Sequence, residues 1–193
     1  MSRRKAAECD VRSGKDDRFN ELYRLFYRPL REYCRRRLST DVVDDAVAEV
    51  FLTAWRRLDH VPEGDTALLW LYAVAYRVVG HEWRGMARRR RLDLQMRAVI
   101  DSPASPADES VLIGDECRRV LDAITRLGPS DAEVLMLVAW EHLSVAEIAV
   151  VVGTAPNAVA QRLHRARRNL GREYRRLESR PFTTPISPNG GAR

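Results

Sequence analysis

The chain has almost no lysine. Lys5 and Lys15 are the only two, so arginine supplies nearly all of its positive charge. That bias fits a GC-rich genome, and part of it reflects codon usage rather than function. Cysteine is scarce as well. Cys9, Cys34 and Cys117 are widely spaced and match no metal-ligand pattern. An odd, scattered set excludes a disulfide framework and reads as a reduced, cytoplasmic protein. The four histidines, His60, His81, His142 and His164, are equally dispersed, and none sits in a metal-ligand or nucleophile arrangement. The expectation is therefore no catalytic residue, no metal and no cofactor: a protein that binds and is not an enzyme. No apolar run approaches the roughly 18 residues needed to cross a bilayer. The basic N-terminus is not followed by a signal-peptide core. A soluble, cytoplasmic chain with no membrane insertion is expected. Alternating strand patterns are missing too, which points to an all-α fold.

What is present is a folded, basic chain. It has 193 residues, 45% hydrophobic content and a formal charge of +6, with a pI near 9.6. The length allows one large or two small domains, and the charge favours a polyanionic partner.

The most informative stretch is LSVAEIAVVVGTAPNAVAQRLHRARRNL, residues 143–170. Ser144 followed three residues later by Glu147 is a capping box, which opens a helix with two backbone N–H groups satisfied. Val145, Ile148, Ala149 and Val152 then share a face. Gly153 is expected to leave that helix at positive φ. Thr154 is suited to cap the next helix, and Pro156 is tolerated in its first turn. Val159, Leu163, Ala166 and Leu170 form an inward stripe. The opposite face carries Asn157, Gln161, His164, Arg165 and Arg168, with Arg162 beside it. This is the pattern of a helix-turn-helix, whose second helix enters the major groove. Asn and Gln pair with adenine there, and Arg with guanine.

Along the rest of the chain, residues 1–15 are polar and read as frayed. A first helical domain is expected over 16–91, a linker over 92–109, a second helical domain over 110–177 and a disordered tail over 178–193. In the first domain, Phe19, Leu22, Tyr23, Phe26 and Leu30 mark one helix. Val43, Ala46, Val47, Val50, Phe51, Ala54 and Leu58 mark another. Leu68, Leu71, Val74, Ala75 and Val78 mark a third, entered after the Pro62–Gly64 break. The linker contains Pro103 and Pro106 among small and acidic residues and is expected to be flexible. In the second domain, Ile113, Cys117, Val120, Leu121 and Ile124 line one helix; the stripe makes Cys117 a buried structural thiol. Gly128–Pro129 ends that helix, and Val134, Leu135, Leu137 and Val138 line the next. The architecture is two small all-α domains, the C-terminal one holding the helix-turn-helix.

The first domain has a charge pattern of its own. Asp41, Asp44, Asp45 and Glu49 cluster at the start of the second helix. The helix dipole accounts for Asp41 and Asp44; Asp45 and Glu49 suit an acidic interaction surface. Arg84, Arg88, Arg89, Arg90 and Arg91 form a basic block suited to phosphate. Tyr72, Tyr76, Val79 and Trp83 make a second stripe on the third helix. Its rings would either stack on unpaired bases, at roughly 1–3 kcal/mol per base, or pack against neighbouring helices.

Several segments in order resemble a known family: FNELYRLFYRPLREYCRR, DVVDDAVAEVFLTAWRRL, ALLWLYAVAYRVVGHEWRGMARRRR and ITRLGPSDAEVLMLVAWEHLSVAEIAVVVGTAPNAVAQRLHRARRNL. Over about residues 16–176 the chain resembles the extracytoplasmic-function (ECF) sigma factors, the two-domain group of the main bacterial sigma family. The resemblance implies a subunit that joins core RNA polymerase and directs promoter-specific initiation. Core binding, to a β′ coiled coil, would use Asp45, Glu49, Phe51 and Trp55. Capture of a melted −10 element would use Tyr72, Tyr76, Arg77, His81, Trp83, Arg84, Arg88 and Arg89. Reading of a duplex −35 element would use Asn157, Gln161, Arg162, His164, Arg165 and Arg168, with the second domain docking on the β flap. The linker, with Asp101, Asp108 and Glu109, would thread toward the active-site cleft. An anti-sigma factor is a further implied partner.

The chain departs from the family pattern at three places. Ala48 stands where glutamine is frequent, and Arg77 and His81 stand where Asn and Asp are common. Arg77 cannot accept a hydrogen bond, so −10 base preference is expected to differ. The alternative reading is a stand-alone helix-turn-helix regulator. Such regulators usually dimerise on paired half-sites, and no long heptad seam is present.

Overall fold

The computed structural model describes the backbone of residues 2–96 and 115–179, with side chains from 14 to 86, at Arg88, and from 116 to 179. The described residues form seven α-helices: α1 (Ser2–Arg35), α2 (Thr40–Arg56), α3 (Thr66–Met96), α4 (Asp115–Thr125), α5 (Pro129–Ala139), α6 (Val145–Val152) and α7 (Pro156–Glu178). A single 3-10 turn, Leu58–His60, lies between α2 and α3. No strand occurs among them. Two helices run longer than the periodicity predicts. α1 begins at Ser2 rather than near residue 16, because Gly14 alone does not break a run of helix-compatible residues. α3 continues to Met96, past the expected start of the linker. The prolines and acidic residues of the linker, including Asp101, Asp108 and Glu109, and the tail from residue 180 lie outside the described residues.

By compactness, α1, α2, α3 and α6 group together, and α4, α5 and α7 form a second unit. In the first unit, α2 realises its stripe in full: Val43, Ala46, Val47, Val50, Phe51, Ala54 and, just beyond it, Leu58 are all buried. α1 contributes Leu22, Leu30, Tyr33 and Cys34, and α3 contributes Leu71, Val74, Ala75, Val78 and Val79. Each large aliphatic side chain buried this way is worth about 1.5–3 kcal/mol. The chain turns between α2 and α3 at Gly64, whose φ is +63°, and Thr66 Oγ1 donates to the Glu63 carbonyl at 2.8 Å. Two α1 side chains bind this connection. Lys15 pairs with Asp59 at 2.9 Å, and Arg18 Nη2 donates to the Val61 carbonyl at 2.6 Å.

The turn that follows α1 holds a buried arginine. The Arg37 guanidinium carbon lies 3.6 Å from the Tyr33 ring centroid, and Arg37 Nη1 donates to the Tyr33 carbonyl at 3.0 Å. The Tyr72 ring stands 5.3 Å from that of Tyr33. Trp83 Nε1 donates to the Arg37 carbonyl at 2.9 Å, which joins the middle of α3 to the segment following α1.

α6 packs with α3, where the sequence groups it with the helices after it. It is short and apolar and buries Ile148, Ala149 and Val151; a helix of two turns depends on such cover for its stability. The second unit buries Ala123 and Ile124 of α4, Val134, Leu135 and Leu137 of α5, and Val159, Leu163 and Ala166 of α7. Asn169 Nδ2 donates to Asp131 Oδ2 at 3.2 Å, tying α7 to α5. Cys117 is exposed and Cys34 is buried, the reverse of the expectation for Cys117. The inward side of α4 is defined by Ala123 and Ile124, and Cys117, like Leu121, falls off it.

Candidate nucleic-acid interfaces

The capping box at α6 is realised on both sides. Glu147 N–H donates to Ser144 Oγ at 3.3 Å, and Ser144 N–H donates to Glu147 Oε2 at 2.8 Å. The Ser144 hydroxyl, and then its backbone N–H, hold the Glu147 carboxyl below its ordinary range. Gly153 ends α6 at φ +69°, ψ 42°, and Thr154 N–H donates back to the Ala149 carbonyl at 3.0 Å. α7 starts at Pro156, so Ala155, not Thr154, occupies the position before its first residue. The turn is tight because Gly153 accepts a left-handed conformation at little cost and Pro156 has its φ preset.

With Val159, Leu163 and Ala166 buried, Asn157, Gln161, His164, Arg165 and Arg168 are exposed and Arg162 is half-buried. Ala160, Gln161, His164 and Arg165 line a shallow open hollow on this face. None of the six polar side chains makes a hydrogen bond or ion pair among the described residues. They stand as free donors and, for Asn157 and Gln161, acceptors too.

On α3, Arg77, His81, Arg84 and Arg88 are exposed and follow one another at i, i+4, i+7 and i+11, a single basic ridge. The resemblance groups these four among the −10 contacts, and helical spacing along α3 places them on one side of the helix. The Arg89 side chain lies outside the described residues. The aromatic stripe divides. Tyr72 is 5% exposed and packs on Tyr33, so it is a core residue and not a platform for bases. Tyr76 and Trp83 are half-buried, and the Trp83 N–H is already engaged by Arg37.

On α2, Asp45 and Glu49 are exposed and make no ion pair among the described residues, whereas Asp44 pairs with Arg31 of α1 at 3.1 Å. Trp55 is 43% exposed. Phe51, grouped with them as a polymerase contact, is 3% exposed and meets Tyr23 at 4.7 Å and Phe19 at 6.2 Å between ring centroids. Its place is beneath that surface, not on it. The structure adds α1 residues to the same patch: Phe19 lies edge-on to Trp55 at 5.1 Å, and Tyr23 is 43% exposed. A core stripe at helical spacing hides this, because the stripe is wider than the helix face that α2 covers.

A family model described as Sigma-70, region 4 matches residues 117–170. The chain is 30% identical over 185 residues to the ECF RNA polymerase sigma factor BldN of Streptomyces coelicolor, covering 88% of this chain and 69% of that protein. It belongs to the ECF RNA polymerase sigma factors. A further relative, the RNA polymerase sigma factor CnrH of Cupriavidus metallidurans, is 28% identical over 143 residues, with 68% of this chain and 72% of CnrH aligned. Among solved structures, the sigma factor fold matches RpoE in complex with the anti-sigma factor NepR from Bartonella quintana, with a TM-score of 0.59 at 20% identity, covering 84% of this chain and 98% of that one. CnrH in complex with the cytosolic domain of CnrY matches with a TM-score of 0.56 at 24% identity, covering 84% and 89%. No helix among the described residues of this sigma factor is long and apolar enough to cross a membrane.

Proposed function

We propose that this sigma factor joins core RNA polymerase and directs it to promoters by reading a duplex −35 element and a melted −10 element. The observation that carries the reading is the face of α7. Five amide, imidazole and guanidinium side chains stand unpaired opposite a buried stripe, with Arg162 unpaired beside them, within the segment matched to sigma region 4. Asn157, Gln161, Arg162, His164, Arg165 and Arg168 meet the −35 duplex, where amides and guanidinium groups are chemically suited to base edges and phosphates. The ridge of Arg77, His81, Arg84 and Arg88, with Tyr76 and Trp83 beside it, holds the unpaired −10 strand. Asp45, Glu49 and Trp55 present an acidic, partly aromatic surface to the β′ coiled coil, with Phe51 supporting it from below.

In domain terms, residues 16–91 serve polymerase and the −10 element. Residues 110–177 serve the −35 element and the β flap, and 92–109 connect the two. The work is binding rather than bond-making, in the cytoplasm where polymerase acts. RpoE is described in complex with the anti-sigma factor NepR and CnrH in complex with the cytosolic domain of CnrY; an anti-sigma factor for this chain is proposed by that likeness. Run-off transcription with core polymerase on genomic fragments tests the function. Defined start sites that require this chain support it. Tight binding of the isolated chain to duplex sites, with no polymerase-dependent transcript, favours the stand-alone regulator instead.

A further inference from the structure

Midway along α3 the helix surface has a gap. Gly80 carries no side chain, and glycine in a helix interior costs about 1 kcal/mol relative to alanine. Its surface neighbours, three and four residues away in each direction, are Tyr76, Arg77, Trp83 and Arg84. Two rings therefore border the gap on one side and two guanidinium groups on the other. Tyr76 and Trp83 are half-buried, Arg77 and Arg84 are exposed, and Gly80 itself remains partly open to solvent. A Cβ built on Gly80 would lie 3.4 Å from Arg84 Nη1, so Arg84 already leans over the gap. Trp83 is held in place by its bond to the Arg37 carbonyl. Arg77 makes no hydrogen bond or ion pair among the described residues.

We propose that the notch over Gly80 receives one unpaired guanine of the melted strand, with Arg77 donating to its N7 and O6. The inference rests on the proposed capture of single-stranded −10 DNA by α3 and specifies what that site selects. Aromatic borders favour a base over a phosphate, since a base has a face to stack, while a phosphate is served as well by Arg88 further along the ridge. Arginine offers only donors. Guanine presents two adjacent acceptors, N7 and O6, to a bidentate guanidinium; adenine places an N6 donor beside N7, and thymine offers O4 alone on that edge.

The test uses holoenzyme reconstituted from the full chain and core polymerase, with a pool of fork-junction DNA whose non-template single strand is randomised. Bound molecules are recovered and sequenced. One position enriched in guanine is expected. Arg77→Ala should erase the enrichment at that position alone and lower affinity for the selected fork roughly tenfold or more. Replacing that guanine by 7-deazaguanine should weaken wild-type binding and leave Arg77→Ala binding unchanged. Gly80→Leu should also weaken binding of the selected fork while the melting temperature stays level or rises, since leucine is the better helix former. Absence of guanine enrichment, enrichment of cytosine instead, enrichment that survives Arg77→Ala, or wild-type binding by Gly80→Leu would each overturn the inference while leaving promoter capture intact. Failure of holoenzyme to bind any fork would overturn both this inference and the function on which it rests.

Discussion

The indole N–H of Trp83 donates to the carbonyl oxygen of Arg37 at 2.9 Å, across 46 positions of sequence. This bond sets the outer half of α3, with its basic ridge, relative to the segment that follows α1. Trp83→Phe keeps most of the ring volume and removes the donor. It should cost about 1–3 kcal/mol, because a partly buried carbonyl loses its partner. Urea denaturation of the two proteins measures this; an unchanged midpoint would show that the bond contributes nothing to the fold.

Phe51 and the acidic pair above it should separate cleanly. Phe51→Ala removes a ring buried among Phe19, Tyr23 and Tyr27 and should destabilise the fold by about 3–5 kcal/mol. Asp45→Arg with Glu49→Arg changes exposed side chains and should leave the melting temperature nearly unchanged while weakening association with core polymerase. Size-exclusion co-elution gives the second readout. Normal co-elution of the double variant would remove the acidic surface from the proposed interface.

On α7, Arg162→Ala with Arg165→Ala should abolish −35-dependent transcription while the protein still co-elutes with polymerase. Each lost guanidinium contact to a base is worth roughly 1–3 kcal/mol. The loss should deepen at higher salt wherever the remaining contacts are to phosphate. Run-off transcription on a mapped promoter measures the effect, and unchanged promoter use by the double variant would reject the assignment.

The capping box makes a pH-dependent contribution. Because the folded carboxyl of Glu147 lies below its ordinary value of 4.5, its stabilising effect is complete above that value and is lost as pH falls through the lower folded one. Glu147→Gln should therefore show a shallower loss of stability between about pH 5 and pH 3 than the parent. Ser144→Ala should cost about 1 kcal/mol at neutral pH. Urea midpoints across that range, with circular dichroism as the signal, measure both.

The two described cysteines should differ in reactivity. Burial pushes the Cys34 thiol up to about 11, whereas Cys117 is exposed. In a Cys9→Ser background, a thiol reagent should modify Cys117 in the native protein and Cys34 only once it unfolds. Rapid native labelling of Cys34, read by mass spectrometry, would contradict its place in the core.

Much of the architecture could be read before any coordinates. The α2 stripe from Val43 to Leu58, the capping box of Ser144 and Glu147, the left-handed turn at Gly153 and the inward stripe of α7 all depend on residues within a few positions of one another. Local spacing is then a sufficient guide, because helical periodicity and end-capping are short-range properties. The basic and amide face of α7 followed directly, as the side opposite that stripe.

Other assignments needed the tertiary structure, and each turned on a partner far away in the chain. Tyr72 and Trp83 lie on one stripe of α3 and look equivalent as potential base-stacking residues. Tyr33, near the end of α1, and Arg37, in the turn that follows it, make the first a core ring and the second a hydrogen-bonded strut. Phe51 sits among polymerase-contact candidates in the sequence, yet rings from α1 bury it. Cys117 occupies an apolar repeat and is nevertheless exposed, while Cys34 is enclosed. The sequence alone determined the helices, their caps and the charged faces, since these arise from neighbours along the chain. Only the packing of helices distant in sequence decided which members of each face are buried and which remain free to meet DNA or polymerase, because burial depends on what the rest of the fold places opposite a side chain.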